Sequence, residues 1–254
     1  MTAKEKLIVA LDVDTADRAL ELFNALYDVV GMFKIGPQLF TSVGPDIVGR
    51  IIARGGRVFL DLKFHDIPNT VAAAGVAATR LGVSIFNVHA AGGREMMKRT
   101  AEAVVDVATR ENLTRPKIIA VTLLTSVDQE TLRQIGIDDR PQSVVSRLAV
   151  LAQESGLDGI VASAQEIKII RKIVSQPDFL IVTPGIRQSN DLLHDQRRVM
   201  TVGEAIRAGA DYLVVGRPIL NADDPVTAAQ GVVDEIAAAN RHIFESSNLA
   251  GTID

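Results

Sequence analysis

Asp61, Lys63 and Asp66 follow directly on the apolar run Arg57-Val58-Phe59-Leu60, and Pro68 closes the stretch. In an extended strand residues i and i+2 share a face, so Asp61 and Lys63 point the same way, while Asp66 falls where the chain is turning. Charges at the mouth of a buried strand are costly to desolvate unless they pair. One use for such a set is structural, an ion pair closing a strand end. The other is chemical. Asp12 and Lys34 belong to two earlier apolar runs and supply the same two charge types. Carboxylates interleaved with ammonium groups hold one another ionised and immobile, which suits an array that stabilises charge developing in a reaction. Magnesium on strand-end carboxylates is the rival use. Two lysines in the array argue against it, since they already neutralise the carboxylates.

These residues need elements that bring their strand ends together. Eight short β-branched runs recur along the chain, each followed by a helical pattern. They are Leu7 to Asp12, Met32 to Gly36, Arg57 into Asp61, Ser84 to His89, Lys117 to Leu124, Gly159 to Ala162, Phe179 to Thr183 and Tyr212 to Gly216. The intervening helices are expected near Thr15–Tyr27, Ser42–Ala53, Thr70–Leu81, Glu95–Thr109, Gln129–Ile135 with Gln142–Ser155, from Ser163 to Ile173, from Thr201 to Gly209, and from Pro225 to Phe244. Ser163-x-x-Glu166 and Thr201-x-x-Glu204 read as capping boxes. Near-continuous apolar strands imply a parallel sheet covered on both faces. Eight strand–helix repeats in about 250 residues imply a (β/α)8 TIM barrel, read as a single domain over 1–254. An open doubly wound sheet would want a glycine-rich first turn, and Asp12-Val13-Asp14-Thr15 is not one.

In such a barrel the active site lies at the C-terminal strand ends, and phosphate often binds the loops after strands seven and eight. There the chain places Thr183-Pro184-Gly185-Ile186-Arg187 and Gly216-Arg217-Pro218. Glycine allows close backbone approach to an anion, and arginine offers a planar fork of donors. Pairing of these arginines with surface carboxylates is the structural alternative. The polar loop from Arg187 to Met200, which carries Gln188, Gln196, Arg197 and Arg198, is the expected lid. His89 could be a ligand, a base or a hydrogen-bonded core residue. His65 is left equally open, since alternation can turn it away from the cavity.

Composition narrows the partners. A hydrophobic share of 47% and a charged share of 23% are those of an ordinary globular protein. A net charge of -4 gives no argument for nucleic acid or an anionic membrane. Aromatics at 4% and no Trp leave few stacking platforms for single strands. With no cysteine there is no disulfide, thiolate metal site or thiol nucleophile. The charged start Met1 to Lys6 does not read as a signal peptide, and no apolar run is long enough to span a bilayer. A cytoplasmic protein fits these features.

The run from Asp61 through Thr70 closely resembles the signature of the orotidine 5'-phosphate decarboxylase family. Asp-x-Lys-x-x-Asp alone is shared with metal-dependent phosphosugar decarboxylases and synthases; the extension through Pro68-Asn69-Thr70 is far more specific. Phe33-Lys34-Ile35-Gly36, Val121 to Ser126, Thr183 to Arg187, Asp195-Gln196-Arg197-Arg198 and Val215-Gly216-Arg217-Pro218 carry the same resemblance in order along the barrel.

The resemblance implies a metal-free and cofactor-free conversion of orotidine 5'-monophosphate to UMP and carbon dioxide in pyrimidine biosynthesis. It implies Lys63 as proton donor to C6, Asp61 beside the departing carboxylate, and Lys34 holding the array and touching the ribose. Asp12 would bind a ribose hydroxyl and Thr125 the pyrimidine edge. Arg187, Gln196, Gly216 and Arg217 would hold the phosphate, with Gln188 the less fitting glutamine. Asp66 and Thr70 would serve the neighbouring subunit's site, which implies a homodimer with shared active sites. A magnesium-dependent phosphosugar decarboxylase or synthase and a non-catalytic phosphate-binding barrel are the alternatives.

Overall fold

The computed structural model describes residues 1–187 and 200–250, the side chains of 187 and of 243–250 excepted. Seven strands come in order: β1 (Leu7–Ala10), β2 (Met32–Ile35), β3 (Val58–Phe64), β4 (Ile85–His89), β5 (Lys117–Val121), β6 (Gly159–Val161) and β7 (Leu180–Pro184). Two short strands follow, β8 (Ile186–Arg187) and β9 (Met200–Thr201), and then β10 (Tyr212–Val215). Strands β1 to β7 and β10 pair in parallel, each with its neighbour, and β10 closes on β1. This is the expected eight-stranded barrel.

Side-chain alternation sorts the strands into two apolar layers. Ile8, Met32, Phe59, Ile85, Ile119 and Val214 fill the interior, with Tyr212 and Val182. Leu7, Val9, Phe33, Leu60, Phe86 and Leu213 face the other way and pack with the helices. The interior phase then continues upward into polar residues. Two positions after Met32 stands Lys34, two after Phe59 stands Asp61, and two after Ile85 stands Asn87. A single alternation therefore builds the core below and the polar mouth above.

Several local expectations shift. The helix expected over Ser42–Ala53 is two helices, Pro37–Val43 and Asp46–Ile52. Pro37 stands in the first turn, where its missing N–H is harmless, and Gly44 at φ 75° with Pro45 behind it interrupts the run. The fifth strand ends at Val121 instead of Leu124; Thr122 makes the last ladder bond to β6, its N–H donating to the Val161 carbonyl at 3.3 Å and its hydroxyl to the same oxygen at 3.1 Å. Leu123, Leu124, Thr125 and Ser126 follow it beyond the strand and line the cavity at the barrel mouth. Both capping boxes form, but the one at Ser163 opens a 3-10 turn, Ala164–Glu166, before the helix Ile167–Ile173. The β8–β9 pair brings together the two ends of segment 188–199. That segment, and with it the lid expectation, lies outside the described residues.

The N-terminal end of the barrel is more than ordinary surface. Asp158 accepts from Arg115 at 2.9 Å, Lys117 at 3.2 Å and the Ile118 N–H at 2.8 Å. Burial alone would push its carboxyl up, but these hydrogen bonds and charges outweigh it and hold the group below the ordinary 3.8. At the start of β7 the Asp211 carboxylate accepts from the Ile181 N–H at 2.7 Å and from Arg171 at 2.5 Å. Each carboxylate satisfies a strand-start N–H that has no ladder partner.

Candidate active site

Lys34 on β2 and Asp61 on β3 are buried, at 8% exposure each. The Lys34 ammonium lies 3.1 Å from Asp12 Oδ1 and 3.2 Å from Asp61 Oδ2. The Lys63 ammonium donates to Asp61 Oδ1 at 2.7 Å. The order Asp12–Lys34–Asp61–Lys63 thus alternates in sign across three strands and ends on Lys63, whose side chain is 31% exposed. Asp12 at 47% and Lys63 at 31% leave both ends of the chain open around its buried middle pair, Lys34 and Asp61, and Lys63 presents its ammonium to whatever occupies the mouth.

Asp61 and Lys63 meet, but not through plain strand alternation. Lys63 has φ 51°, in the left-handed region. Between Leu60 and Phe64 β3 has three residues where β4 has one, Asn87, between Phe86 and Val88. This bulge re-aims the lysine, a device common beside active sites. Left-handed backbone costs a residue with a Cβ about 1–2 kcal/mol. Two variants lacking the ammonium isolate that strain: Lys63→Gly is expected to be more stable than Lys63→Ala by about 1 kcal/mol in urea denaturation. Equal stability would show the bulge to be unstrained.

Two residues to which the sequence reading gives no role join the array. Asn87, fully buried on β4, donates to Asp61 Oδ1 at 2.7 Å and accepts from the Lys63 N–H at 2.8 Å. Gly36 sits where an added Cβ would stand 2.9 Å from the Lys34 ammonium and 3.3 Å from Asp12 Oδ1, so only hydrogen leaves that pair its place. Their signals are in the sequence: Asn87 is the polar residue in the inward phase of β4, and Gly36 lies two residues beyond Lys34.

A cavity of 230 Å³ opens beside the array. Lys34, Asp61 and Lys63 line one side; Val121, Val161, Ala162 and Pro184 form an apolar side, and Thr125 and Ser126 supply polar atoms at its edge. A flat heterocycle fits this division, with its ring against aliphatic groups and its polar edge toward the hydroxyls. Gly216, after β10, lies beside the array, since a Cβ there would be 3.7 Å from Asp12 Oδ2 and 3.5 Å from Ala10. Arg217 is exposed next to it and opens the short helix Arg217–Leu220. Arg187 is reached by its backbone in β8, while Gln188, Gln196, Arg197 and Arg198 lie outside the described residues.

Asp66 and Thr70 are not drawn into their own chain's array. Both are exposed, and Asp66 turns one oxygen onto the Ile67 N–H at 2.6 Å. Ile67 between them is 66% exposed, an apolar side chain left largely open to solvent by its own chain. Among the described residues no three His, Asp or Glu side chains converge as a metal-ligand set.

His65 and His89 stack on one another, ring centroids 5.2 Å apart and planes 20° from parallel. His89 Nδ1 accepts the Ala91 N–H at 3.4 Å, which fixes that nitrogen as unprotonated. Burial, then the neighbouring His65 and Lys63, push the His89 pKa below its ordinary 6.5. The unfolded chain therefore takes up this proton first, and the folded state loses stability as pH falls below about 6.5 toward the depressed folded value. Urea denaturation at stepped pH should show that slope, and His89→Asn, which keeps an acceptor for Ala91, should flatten it.

With the geometry in place, the likeness to known proteins is specific. Residues 5–232 match the sequence model of the orotidine 5'-phosphate decarboxylase / HUMPS family. The chain is 54% identical over 237 residues to the orotidine 5'-phosphate decarboxylase of Syntrophotalea carbinolica, covering 93% of this chain and 97% of that one. It is 55% identical over 236 residues to the protein of the same name from Geobacter sulfurreducens, covering 93% and 98%. Among solved structures, orotidine 5'-phosphate decarboxylase from Lactobacillus acidophilus superposes with a TM-score of 0.79 at 35% identity, covering 91% of this chain and 98% of that one. An alternating charge array with a buried centre at the mouth of a parallel barrel, and matches that run nearly end to end, carry one conclusion: this chain belongs to the orotidine 5'-phosphate decarboxylase / HUMPS family.

Proposed function

We propose that this protein decarboxylates orotidine 5'-monophosphate to UMP and carbon dioxide, the closing step of pyrimidine nucleotide synthesis, without metal or organic cofactor. The observation that carries this reading is the Lys63 ammonium, held 2.7 Å from Asp61 at the edge of a cavity that is otherwise largely apolar. Loss of carbon dioxide from C6 leaves an electron pair on a carbon with no carbonyl to delocalise it. A fixed cation at that carbon is the direct means of stabilisation, and an ammonium can then deliver the proton. Asp61 stands beside the departing carboxylate and aims Lys63. Lys34 holds the array and reaches the ribose, Asp12 takes a ribose hydroxyl, and Thr125 meets the pyrimidine edge. Arg187, Gln196, Gly216 and Arg217 hold the phosphate, whose binding energy supports closure around the reacting end.

In this reading residues 1–254 act as one barrel domain, two copies pair, and Asp66 and Thr70 complete the partner's site. The uncovered Ile67 between them supports such a contact. Among the described residues no helix is long and apolar enough to cross a membrane, which is compatible with the cytoplasmic placement we favour. The test is direct: purified protein is added to orotidine 5'-monophosphate and the substrate absorbance is followed. Steady loss, unchanged by EDTA, is the expected result. No change at micromolar protein would refute the assignment, and loss abolished by EDTA and restored by magnesium would move it to the metal-dependent branch.

A further inference from the structure

We infer that Asn87 is a positioning residue that sets the aim of Lys63 by clamping the bulge in β3 from the facing strand. The inference rests on the proposed decarboxylase reading and adds a residue to it. Where β3 bulges, the parallel ladder to β4 is interrupted between the pairs Leu60–Phe86 and Phe64–Val88, and Asn87 is the β4 residue opposite that gap. Its side chain replaces the missing ladder contacts. The carbonyl oxygen accepts the Lys63 N–H at 2.8 Å, and the amide nitrogen donates to Asp61 Oδ1 at 2.7 Å. The partners settle the amide orientation: a backbone N–H requires an acceptor, and an ionised carboxylate requires a donor. One amide thus fixes both the backbone of Lys63, in its left-handed conformation, and the carboxylate that receives the Lys63 ammonium.

Asn87 is fully buried and is not among the residues that line the cavity, so it acts on turnover only through Asp61 and Lys63. Two carboxylates on Oδ1-facing sides would repel, so aspartate cannot take over the donor. Alanine leaves the Lys63 N–H and one Asp61 lone pair without partners.

Asn87→Ala and Asn87→Asp are compared with the parent for kcat, for KM with orotidine 5'-monophosphate, and for UMP affinity and stoichiometry by calorimetry. A lysine misplaced by about an ångström is expected to lower kcat about 100-fold. KM and UMP affinity are expected to stay within about threefold, because the groups that grip the nucleotide are elsewhere. The proposal is overturned if kcat stays within about threefold of the parent, or if the loss lies in KM instead. It is also overturned if kcat falls only in step with the fraction of UMP-binding sites, or if neither variant yields folded protein, since Asn87 would then serve folding alone. A parent that does not turn over orotidine 5'-monophosphate refutes the decarboxylase reading instead, and is distinguished by the parent measurement itself.

Discussion

Lys63→Ala is expected to lower the turnover of orotidine 5'-monophosphate about ten-thousand-fold, since it removes both a fixed charge and a general acid. That factor corresponds to about 5 kcal/mol of transition-state stabilisation. The structure explains why nothing else steps in. Lys34 is already held between Asp12 and Asp61, at 3.1 and 3.2 Å, in the buried middle of the array. KM is expected to change little, because the lost interaction develops only as the carboxylate leaves. Lys63→Arg separates charge from proton transfer. Its guanidinium keeps a positive charge but does not release a proton near neutral pH, and its fork does not fit the place of a single ammonium. It should therefore recover little. Steady-state kinetics with UMP binding as a control for the intact site are the measurement. A Lys63→Ala protein retaining a tenth of parental kcat would remove Lys63 from the chemistry.

The second large effect concerns the opposite half of the same stretch. Asp66→Ala alone is expected to be nearly inactive, although Asp66 is exposed and does not touch its own chain's array. Mixing it with inactive Lys63→Ala protein is expected to restore about a quarter of parental activity after subunit exchange. Half of the dimers would then be hybrids. In each hybrid one site takes Lys63 from the Asp66→Ala subunit and Asp66 from the Lys63→Ala subunit, and so is complete. The other site lacks both. Activity that stays at the level of the separate variants, with exchange verified by mass-labelled subunits, would place Asp66 in its own chain's function.

How much of this was legible beforehand differs by residue. Lys34, Asp61 and Lys63 were readable because each breaks an apolar run at the same end of its strand. The structure brings all three together on one cavity. Thr125 was readable too, although the strand before it ends three residues earlier than its apolar character suggests. That end is where the β5–β6 ladder stops, its last bond running from the Thr122 N–H to the Val161 carbonyl, between strands distant in sequence. Asn87 is visible in the sequence as a polar residue in a strand, but an amide alone points to no chemistry. Its importance arises only from standing opposite a bulge in a different strand. The two stacked histidines were left open for the same reason, since no periodicity reveals that β4 places His89 against His65.

The segment from Asp61 to Lys63 now divides cleanly between the two sources. The sequence by itself determined that charged residues crown a parallel barrel, because alternation and strand–helix repetition depend only on residue order. It also identified the family, because motifs recur in order from Phe33 to Pro218. It could not determine how Lys63 is aimed. Plain alternation points Lys63 and Asp61 the same way, yet the lysine reaches Asp61 through a left-handed backbone at φ 51°, held from β4. A positive φ at a residue with a Cβ is locally unfavourable, so no local rule anticipates it. Only the assembled sheet, with Asn87 filling the gap and Asp61 receiving the ammonium, supplies the contacts that hold it there.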